Sequence, residues 1–460
     1  MRNIQKDRKK QHIIHHNVIL LDIFAAFLHN MHINSAMRQI VLIEFRVTNF
    51  RSFKDTQILR MTASAATEWN SSHTFASGEP SFPRMLRSSV IYGPNAAGKS
   101  NLLLGLQFVQ AFILGSAALQ EGNRILVRPF LFDEISRRGA SEFEVVFVEK
   151  GVRYQYGFSV EPERVQREWL IAYPKGRPQR WFEREYSPKS KTYIWDIGSK
   201  LKGNHGVWRN ATRSNALFLS TAIQLNNEQM RPVFNWFQNK LSVIAGSTQL
   251  NPNLTFQLFD KPGGKEQLVN FIQSADLGID DITVKRDSIP GGFVIQPAVQ
   301  IIAPQPGAKA PEMLRMQTLH KIAGSKEFAT LELAEESTGT IKLTNAAGAW
   351  LKVLANGEVL LFDELDNSLH PMIVRFLIGL FHNAKTNKKN AQLLFSTHDT
   401  SLLDGDLFRR DQIWFIEKDK QNASRLYPLI EFSPRKEEAL GKGYLKGRYG
   451  ALPYIGEPKF

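Results

Sequence analysis

Apolar and polar residues alternate over "VLIEFRVTNF" near the start of the chain. Ile43, Phe45 and Val47 stand against Glu44, Arg46 and Thr48, and this period of two predicts a half-exposed strand. "SSVIY" (88–92) is a short run that ends at a glycine and predicts a buried strand. After it Leu102, Leu106, Val109 and Ile113 recur at helical spacing. From Phe143 the period is again two: Phe143, Val145 and Phe147 alternate with Glu142, Glu144 and Val146. "EKG" makes a turn, and Val152, Tyr154, Tyr156 and Phe158 continue the pattern. With further strand-like pieces to about Trp195, this predicts an antiparallel meander. Residues 213–283 read as helical, most clearly in "NEQMRPVFNWFQNKL", and "APQPGAKAP" (303–311) reads as a loop. In the last third "EVLLFDE" is a buried strand ending in two carboxylates, and Ile373, Phe376, Leu377 and Leu380 form a helical stripe. "QLLFSTHD" and "QIWFIE" are two more buried strands, and this alternation of strand and helix predicts a parallel sheet. There is no internal repeat and no sustained heptad pattern, so no long coiled-coil arm is expected.

The glycine that closes "SSVIY" opens Gly93-Pro94-Asn95-Ala96-Ala97-Gly98-Lys99-Ser100, which fits G-x-x-x-x-G-K-[ST]. Glycines at the two ends let backbone N–H groups turn in around phosphate oxygens, and the helix starting near Gly98 adds its positive end. Lys99 brings a charge to the β- and γ-phosphates of ATP, and the Ser100 hydroxyl is placed to ligate Mg2+. A chance glycine-rich turn is the bland alternative, but strand before and helix after is the context a phosphate-binding loop requires. "VLLFDELD" supplies the acidic partner: Asp363 to hold the metal through water, and Glu364 to polarise the attacking water as general base. An ordinary polar strand end is the competing reading. His398, at the end of "LLFSTHD", would hydrogen-bond the γ-phosphate or the attacking water. A lone histidine is usually unremarkable, and its place on the strand after the Asp-Glu pair is what singles it out. Asp363 follows Lys99 by more than 260 residues, so the meander and the helical block are inserted between the two nucleotide motifs.

Length and charge narrow the picture further. A chain of 460 residues has room for two or three domains. It contains no cysteine, which excludes disulfides, thiolate zinc sites and cysteine nucleophiles and fits a reducing cytoplasm. The formal charge of +14 fits either a polyanionic partner or simple solubility, with short basic runs at Arg8–Lys10 and Lys385–Lys389. "NVILLDIFAAFLHNM" (17–31) is short for a membrane span and holds Asp22. It has no small-residue cleavage site, so neither a membrane segment nor a signal peptide is expected. Residues 1–37 read as an extension outside the fold, with an amphipathic partner helix as the alternative. Five of the eleven histidines fall in its first 32 residues without a metal-ligand spacing.

Seven stretches, in family order from about 38 to 455, resemble an ABC-type ATPase head of the RecF/SMC/Rad50 kind, and more narrowly the AAA15 ATPases of bacterial phage defence. They are "VTNFRSF", "YGPNAAGKSN", "RPFLFDEISRRGASEFEVVF", "EESTGTIKL", "LLFDELDNSLHP", "LLFSTHDTSLLD" and "GRYGALPYI". Among these ATPases the chain resembles the RloA/AbiL type and the AriA ATPase of the PARIS system. The resemblance implies an α/β fold: an ABC-type P-loop ATPase head with the antiparallel meander in its N-terminal lobe (38–212), a helical insertion (213–330) and a C-terminal lobe (331–460). It implies that Ser337 and Gly339 clasp the γ-phosphate of ATP bound to a second subunit, that Asp366 acts across the same interface, and that Arg51 approaches the phosphates. Asn101, which closes "YGPNAAGKSN", joins the nucleotide-binding set. The signature departs from the family pattern, with Thr338 and Thr340 in place of the usual Gly and Gln, and no glutamine is placed as the metal-contacting one.

A γ-phosphate held between one copy's loop and another's signature makes ATP the glue of a two-fold dimer, with larger rings built from such dimers as an extension. About sixty residues follow His398, too few for a fused Toprim nuclease, and no other nucleophile or zinc arrangement is evident. The resemblance therefore implies an ATP-hydrolysing, Mg2+-dependent sensor and scaffold that holds a separate nuclease effector. A phage trigger protein, for instance an acidic DNA mimic, or DNA itself would meet the basic surface. The rival reading is a RecF/Rad50-like DNA-repair ATPase that binds DNA in an ATP-dependent way. A transporter ATPase is disfavoured by the long insertions and by the form of "DELDNSLH".

Overall fold

A computed structural model describes residues 41–453, apart from 80, 246–249, 251, 276–277, 289–311 and 436–437. The readings of residues 1–37 and of the loop 303–311 lie outside the described residues. The chain forms two compact units. The larger comprises Ser35–Gly246, Gly357–Leu365 and Lys389–Phe460, and the smaller includes Ser247–Asn356 and Asp366–Lys388.

Two sheets build the larger unit. Strands β1 (Val41–Thr48) and β2 (Gln57–Arg60) open the chain, and the short β3 (Thr74–Ala76) and β4 (Arg84–Leu86) form a small hairpin before β5 (Ser88–Tyr92). The meander follows as β6 (Ser141–Glu149), β7 (Val152–Glu161), β8 (Arg164–Tyr173), β9 (Gln179–Ser187) and β10 (Thr192–Ile197). With β1 and β2 these make a seven-stranded antiparallel sheet in the order β10-β9-β8-β7-β6-β1-β2. Because β1 is flanked by β2 and β6, it is more buried than its alternation predicts. Glu44 is 8% exposed and takes ion pairs from Arg46 (2.5 Å) and Arg60 (2.8 Å) in place of water.

The second sheet is drawn from distant parts of the chain. Its members are β5, β11 (Leu241–Ile244), β15 (Val359–Phe362), β16 (Gln392–Ser396), β17 (Ile413–Lys418) and β18 (Ser424–Pro428), in the order β11-β15-β16-β5-β17-β18. All its pairings are parallel except β17 with β18. β11 is a finding against the sequence pattern. It lies inside the stretch read as helical, and its four residues become the parallel edge neighbour of the carboxylate strand, Leu241 opposite Val359 and Ile244 opposite Phe362. Four residues are too short for a period to show, and pairing with a strand over a hundred residues away decides their conformation.

The helix Lys99–Gly115 buries Leu102, Leu103, Leu106, Val109 and Ile113 in a core shared with both sheets. Gly105 allows it close to β1, since a Cβ there would stand 3.1 Å from the Phe45 ring. The segment Lys99–Ala118 is long and apolar enough to cross a membrane by length and composition, and its inward face is this core. Gln392 ties the sheets together: its Oε1 accepts from Leu42 N–H (2.7 Å), and its Nε2 donates to Leu42 O (3.2 Å) and Leu86 O (3.0 Å).

In the smaller unit, helices Asn253–Phe259, Gly264–Ser274, Thr338–Asn356 and Pro371–His382 accompany a three-stranded sheet of β12 (Asp281–Ser288), β13 (Glu312–Lys321) and β14 (Phe328–Glu332). The long helix Thr338–Asn356 crosses Asn253–Phe259 at Gly348, where a Cβ would lie 2.3 Å from Leu254 C. Thr255 Oγ1 donates to Thr344 O or Asn345 O (both 3.0 Å) and accepts from Gly348 N–H (3.0 Å). The signature segment "ESTGT" thus groups with the helical block, while the carboxylate strand that follows it belongs to the larger unit.

Candidate active site

Parallel pairing brings the ends of β15, β16 and β5 to one edge of the sheet. Phe362 stands opposite Phe395, and Phe395 opposite Val90, so Asp363, Ser396 and Ile91 lie one step further along and His398 stands at the level of Gly93. The strand bearing His398 thus runs between the phosphate loop and the two carboxylates. One register explains how motifs more than 260 residues apart meet.

The loop Gly93–Gly98 has little room for side chains. A Cβ on Gly93 would fall 2.2 Å from Ile416 O, and one on Gly98 (φ 116°) would fall 2.4 Å from Ser424 Oγ and 2.7 Å from Ser52 Oγ. Ala96 adopts φ 60°, a left-handed turn that faces successive peptide groups the same way. Lys99 is buried, with Nζ donating to Gly93 O (2.7 Å) and Pro94 O (3.1 Å). The helix that follows has no side-chain cap, so its first N–H groups are left for an anion. Ser100, at its start, is partly exposed. Asn101 does not reach toward the loop's interior; its Nδ2 donates to Ser52 Oγ (2.8 Å).

Across the edge, Asp363 is 9% exposed and its Oδ1 accepts from Ser396 Oγ at 2.5 Å. The same hydroxyl accepts the N–H of Glu364 (2.8 Å), whose backbone sits at φ 49°. Leu365 N–H then donates to Ser396 O (3.1 Å). Glu364 and His398 are exposed at the edge. Pattern reading missed Ser396, which with Gln392 is one of two polar residues in a fully buried strand and stands two before His398. No group of three or more His, Cys, Asp or Glu side chains gathers as a metal site among the described residues. Mg2+ does not need one. It takes one or two protein oxygens, keeps its remaining positions for water and phosphate, and is suited by a hydroxyl and a carboxylate such as Ser100 and Asp363.

Arg51 lies in a turn built by Asn49. The Asn49 side chain accepts from Phe130 N–H (3.0 Å) and donates to Ser136 O (2.7 Å), Gly139 O (3.0 Å) and Ala140 O (3.2 Å). Arg51 itself sits at φ 53°, and its N–H donates to Arg128 O (2.8 Å). Partial burial, with the Arg128 charge beside it, holds the Arg51 guanidinium below its ordinary value. Next in sequence, Ser52 O accepts from Ser424 N–H (2.7 Å), and Ser424 Oγ donates to Ala97 O (2.5 Å). The turn therefore braces the phosphate loop and sets Arg51 one residue from the contact at Gly98.

In the smaller unit the signature and the residues after the carboxylates are brought together. Exposed Ser337 precedes the helix Thr338–Asn356. Its Oγ accepts from Thr340 N–H (3.1 Å) and lies 2.9 Å from Thr340 Oγ1, so it serves its own helix as an N-cap. A Cβ on Gly339 would stand 2.5 Å from Ser368 O, and Lys342 Nζ donates to Asn367 O (2.8 Å), so Gly339 is the residue that lets the segment after Asp366 lie against the helix start.

Topology, loop and carboxylates together define a P-loop nucleotide-binding fold. Residues 88–404 match the family model described as "AAA domain, putative AbiEii toxin, Type IV TA system", and the chain belongs to that family. Among solved structures it is similar to the SMC head domain from Thermotoga maritima (11% identity, 85% of this chain and 99% of that one, TM-score 0.37). It is also similar to an Smc head domain with an extended coiled coil, bound to the C-terminal domain of ScpA derived from Pyrococcus furiosus (11% identity, 85% and 96%, TM-score 0.38). A third is the recombination mediator protein RecF with ATP (12% identity, 86% and 100%, TM-score 0.33). No curated protein matches the chain.

Proposed function

We propose that this chain hydrolyses ATP as the sensor and scaffold of a bacterial anti-phage system, holding a separate toxic nuclease and releasing it when a phage trigger arrives. What supports the ATPase part is the parallel register of β15, β16 and β5, the strands that lead into Asp363 and Glu364, into His398 and into the loop before Lys99. The family description, which names a putative toxin of a toxin–antitoxin system, supports a part in such a system, and the assignment of the toxic step to another chain follows the resemblance to phage-defence ATPases. A chain without cysteine fits work in the reducing cytoplasm.

In this reading Gly93, Pro94, Asn95, Ala96, Ala97 and Gly98 wrap the phosphates, with Lys99 and Arg51 neutralising them. Ser100 and, through water, Asp363 would hold Mg2+, which would supply charge stabilisation on the phosphate oxygens. Glu364 takes the proton of the attacking water, and His398 hydrogen-bonds the water or the γ-phosphate. Ser337, Gly339 and Asp366 of a second copy complete the site, so ATP favours the dimer and hydrolysis dissolves it.

Lys99→Ala is expected to abolish nucleotide binding and defence, and Glu364→Gln to trap an ATP-bound assembly. Turnover by Glu364→Gln equal to the parent would refute the general-base role. Affinity purification from infected and uninfected cells tests the scaffold, and no co-purifying nuclease in either would refute it. The basic charge of +14 favours one second reading, a RecF-like DNA-repair ATPase. That reading predicts ATP-stimulated DNA binding that weakens steeply with salt.

A further inference from the structure

Large apolar side chains stand exposed in two segments, each next to half of the proposed shared site. In the larger unit, Leu126 (89% exposed), Leu131 (62%), Phe132 (68%) and Ile135 (85%) lie within ten residues. This segment hangs on Asn49, whose amide holds Phe130 N–H, Ser136 O, Gly139 O and Ala140 O, and the Asn49 turn in turn braces the phosphate loop through Ser52. In the smaller unit, β14 is joined to Ser337 through the short 3-10 turn Leu333–Glu335. It is the edge strand of its sheet, and four of its five residues are exposed, Phe328 and Leu331 among them. A strand with neither face buried and one edge open lacks the cover that strands ordinarily need.

The charges of the two segments are opposite. Beside the first, Arg51 and Arg128 have no carboxylate partner among the described residues, while Lys54 and Arg137 are paired with Asp133 and Glu134. Around β14 stand Glu327, Glu332, Glu335 and Glu336; Arg315 lies 3.9 Å from Glu332, His320 Nε2 lies 2.7 Å from Glu336, and Lys321 and Lys326 flank the start of the strand, so the segment's excess of carboxylates rests on Glu327 and Glu335. A patch this apolar, with unpaired guanidiniums at its rim, calls for an apolar surface bearing carboxylates, and the chain carries one.

We infer that in the ATP-bound dimer the 126–138 segment of one copy seats on β14 and the 327–336 segment of the other, forming a protein–protein contact that flanks each shared nucleotide. The inference rests on the shared-site reading given above. Two-fold symmetry makes the contact occur twice, since each copy carries both surfaces. It gives the pairing of copies a source of specificity other than the nucleotide, because apolar cover supplies affinity and Arg128 sets the register against the carboxylates.

The natural absence of cysteine gives a clean test. Phe132→Cys and Leu331→Cys are made on separate copies in the Glu364→Gln background, mixed with ATP and Mg2+, and treated with a flexible bis-maleimide. A cross-linked dimer is expected from the mixture and from neither variant alone, with at least about tenfold less in ADP. Ile135→Cys with Phe328→Cys serves as the second pair should one variant misfold. ATP-driven dimerisation of the Glu364→Gln protein without added cysteines, read by light scattering, reports the shared nucleotide site independently. If that dimer forms and neither surface pair links, the contact is wrong and the shared site stands. If no ATP-driven dimer forms, both fall. Phe132→Asp is further expected to weaken ATP-driven dimerisation about tenfold by light scattering, and an unchanged dimer constant would count against the contact.

Discussion

Ser396→Ala tests whether the carboxylate pair is held ready by the strand between it and the phosphate loop. The hydroxyl is fully buried, donates to Asp363 Oδ1 at 2.5 Å and accepts from Glu364 N–H at 2.8 Å. A hydrogen bond to a charged group contributes about 1.5–3 kcal/mol, and leaving a buried donor unmet costs about 1–3 kcal/mol. Glu364 is held at φ 49°, a conformation that costs on the order of 1–2 kcal/mol and that its N–H bond to Ser396 offsets. The substitution is therefore expected to lower unfolding stability by about 2–4 kcal/mol, read by denaturant titration. Without the bond Glu364 relaxes, and a misplacement of about 1 Å at a reacting group costs up to about 100-fold. The expected signature is kcat for phosphate release down by about 10- to 100-fold, with nucleotide affinity changed by less than about threefold because Lys99 and its loop are untouched. Ser396→Thr, which keeps the hydroxyl, should recover most of kcat. Nucleotide affinity falling in step with kcat, or unaltered kcat in Ser396→Ala, would refute the argument.

Three further outcomes follow from the fold. Gly98→Ala would force a side chain at φ 116° to within 2.7 Å of two serine hydroxyls, so ATP affinity measured by calorimetry should fall by at least about tenfold, and wild-type affinity would contradict the loop geometry. His73 donates from Nδ1 to Gln412 Oε1 (2.9 Å), since Gln412 Nε2 is committed to Ser88 O and Ser88 Oγ. Burial pushes the imidazole from 6.5 down to about 4 despite that bond. The unfolded chain therefore binds the proton first, so stability should fall as pH drops from 6.5 toward 4, by up to about 3 kcal/mol, and His73→Asn should flatten the trend. In the meander, Glu168 and Arg184 pair at 2.9 Å, both fully buried, and Glu168 also accepts from Tyr156 Oη (3.0 Å), Phe218 N–H (2.7 Å) and Leu219 N–H (3.0 Å). Arg184→Met should cost about 3–5 kcal/mol in denaturant unfolding by stranding that carboxylate.

What the sequence made legible was whatever is written locally. The phosphate loop is spelled by two glycines that a Cβ would jam, the meander by alternation over nine- and ten-residue strands, unbroken in β7 and interrupted at Val145–Val148 in β6, and the carboxylate strand by four buried residues before Asp363. Illegible were the contacts whose meaning depends on a distant partner. Leu241–Ile244 is a strand because β15 lies beside it. Gln392 and Ser396 look like stray polar residues until β1 and Asp363 are placed against them. Asn49 carries no sign that four backbone groups between 130 and 140 converge on its amide.

The C-terminal "GRYGALPYI" lies between these cases, because it was read as a family mark without a physical reason, and the structure supplies one. Tyr449 is 1% exposed, stacks on Phe415 with centroids 5.8 Å apart, and lends its carbonyl to Tyr427 Oη (2.9 Å). Gly450 turns at φ 68° where a Cβ would stand 2.7 Å from both Glu417 Oε2 and Tyr427 Oη, and Ala451 N–H then donates to Glu417 Oε2 (2.8 Å). Tyr444, stacked on the same Phe415, reaches Tyr92 at 6.1 Å, the residue immediately before Gly93. The motif, together with Tyr444 just before it, thus packs Phe415 of β17 beside the strand that delivers the phosphate loop. A loop that must present its N–H groups to phosphate without bending needs the strand behind it fixed, and here the turn at Gly450 supplies that support.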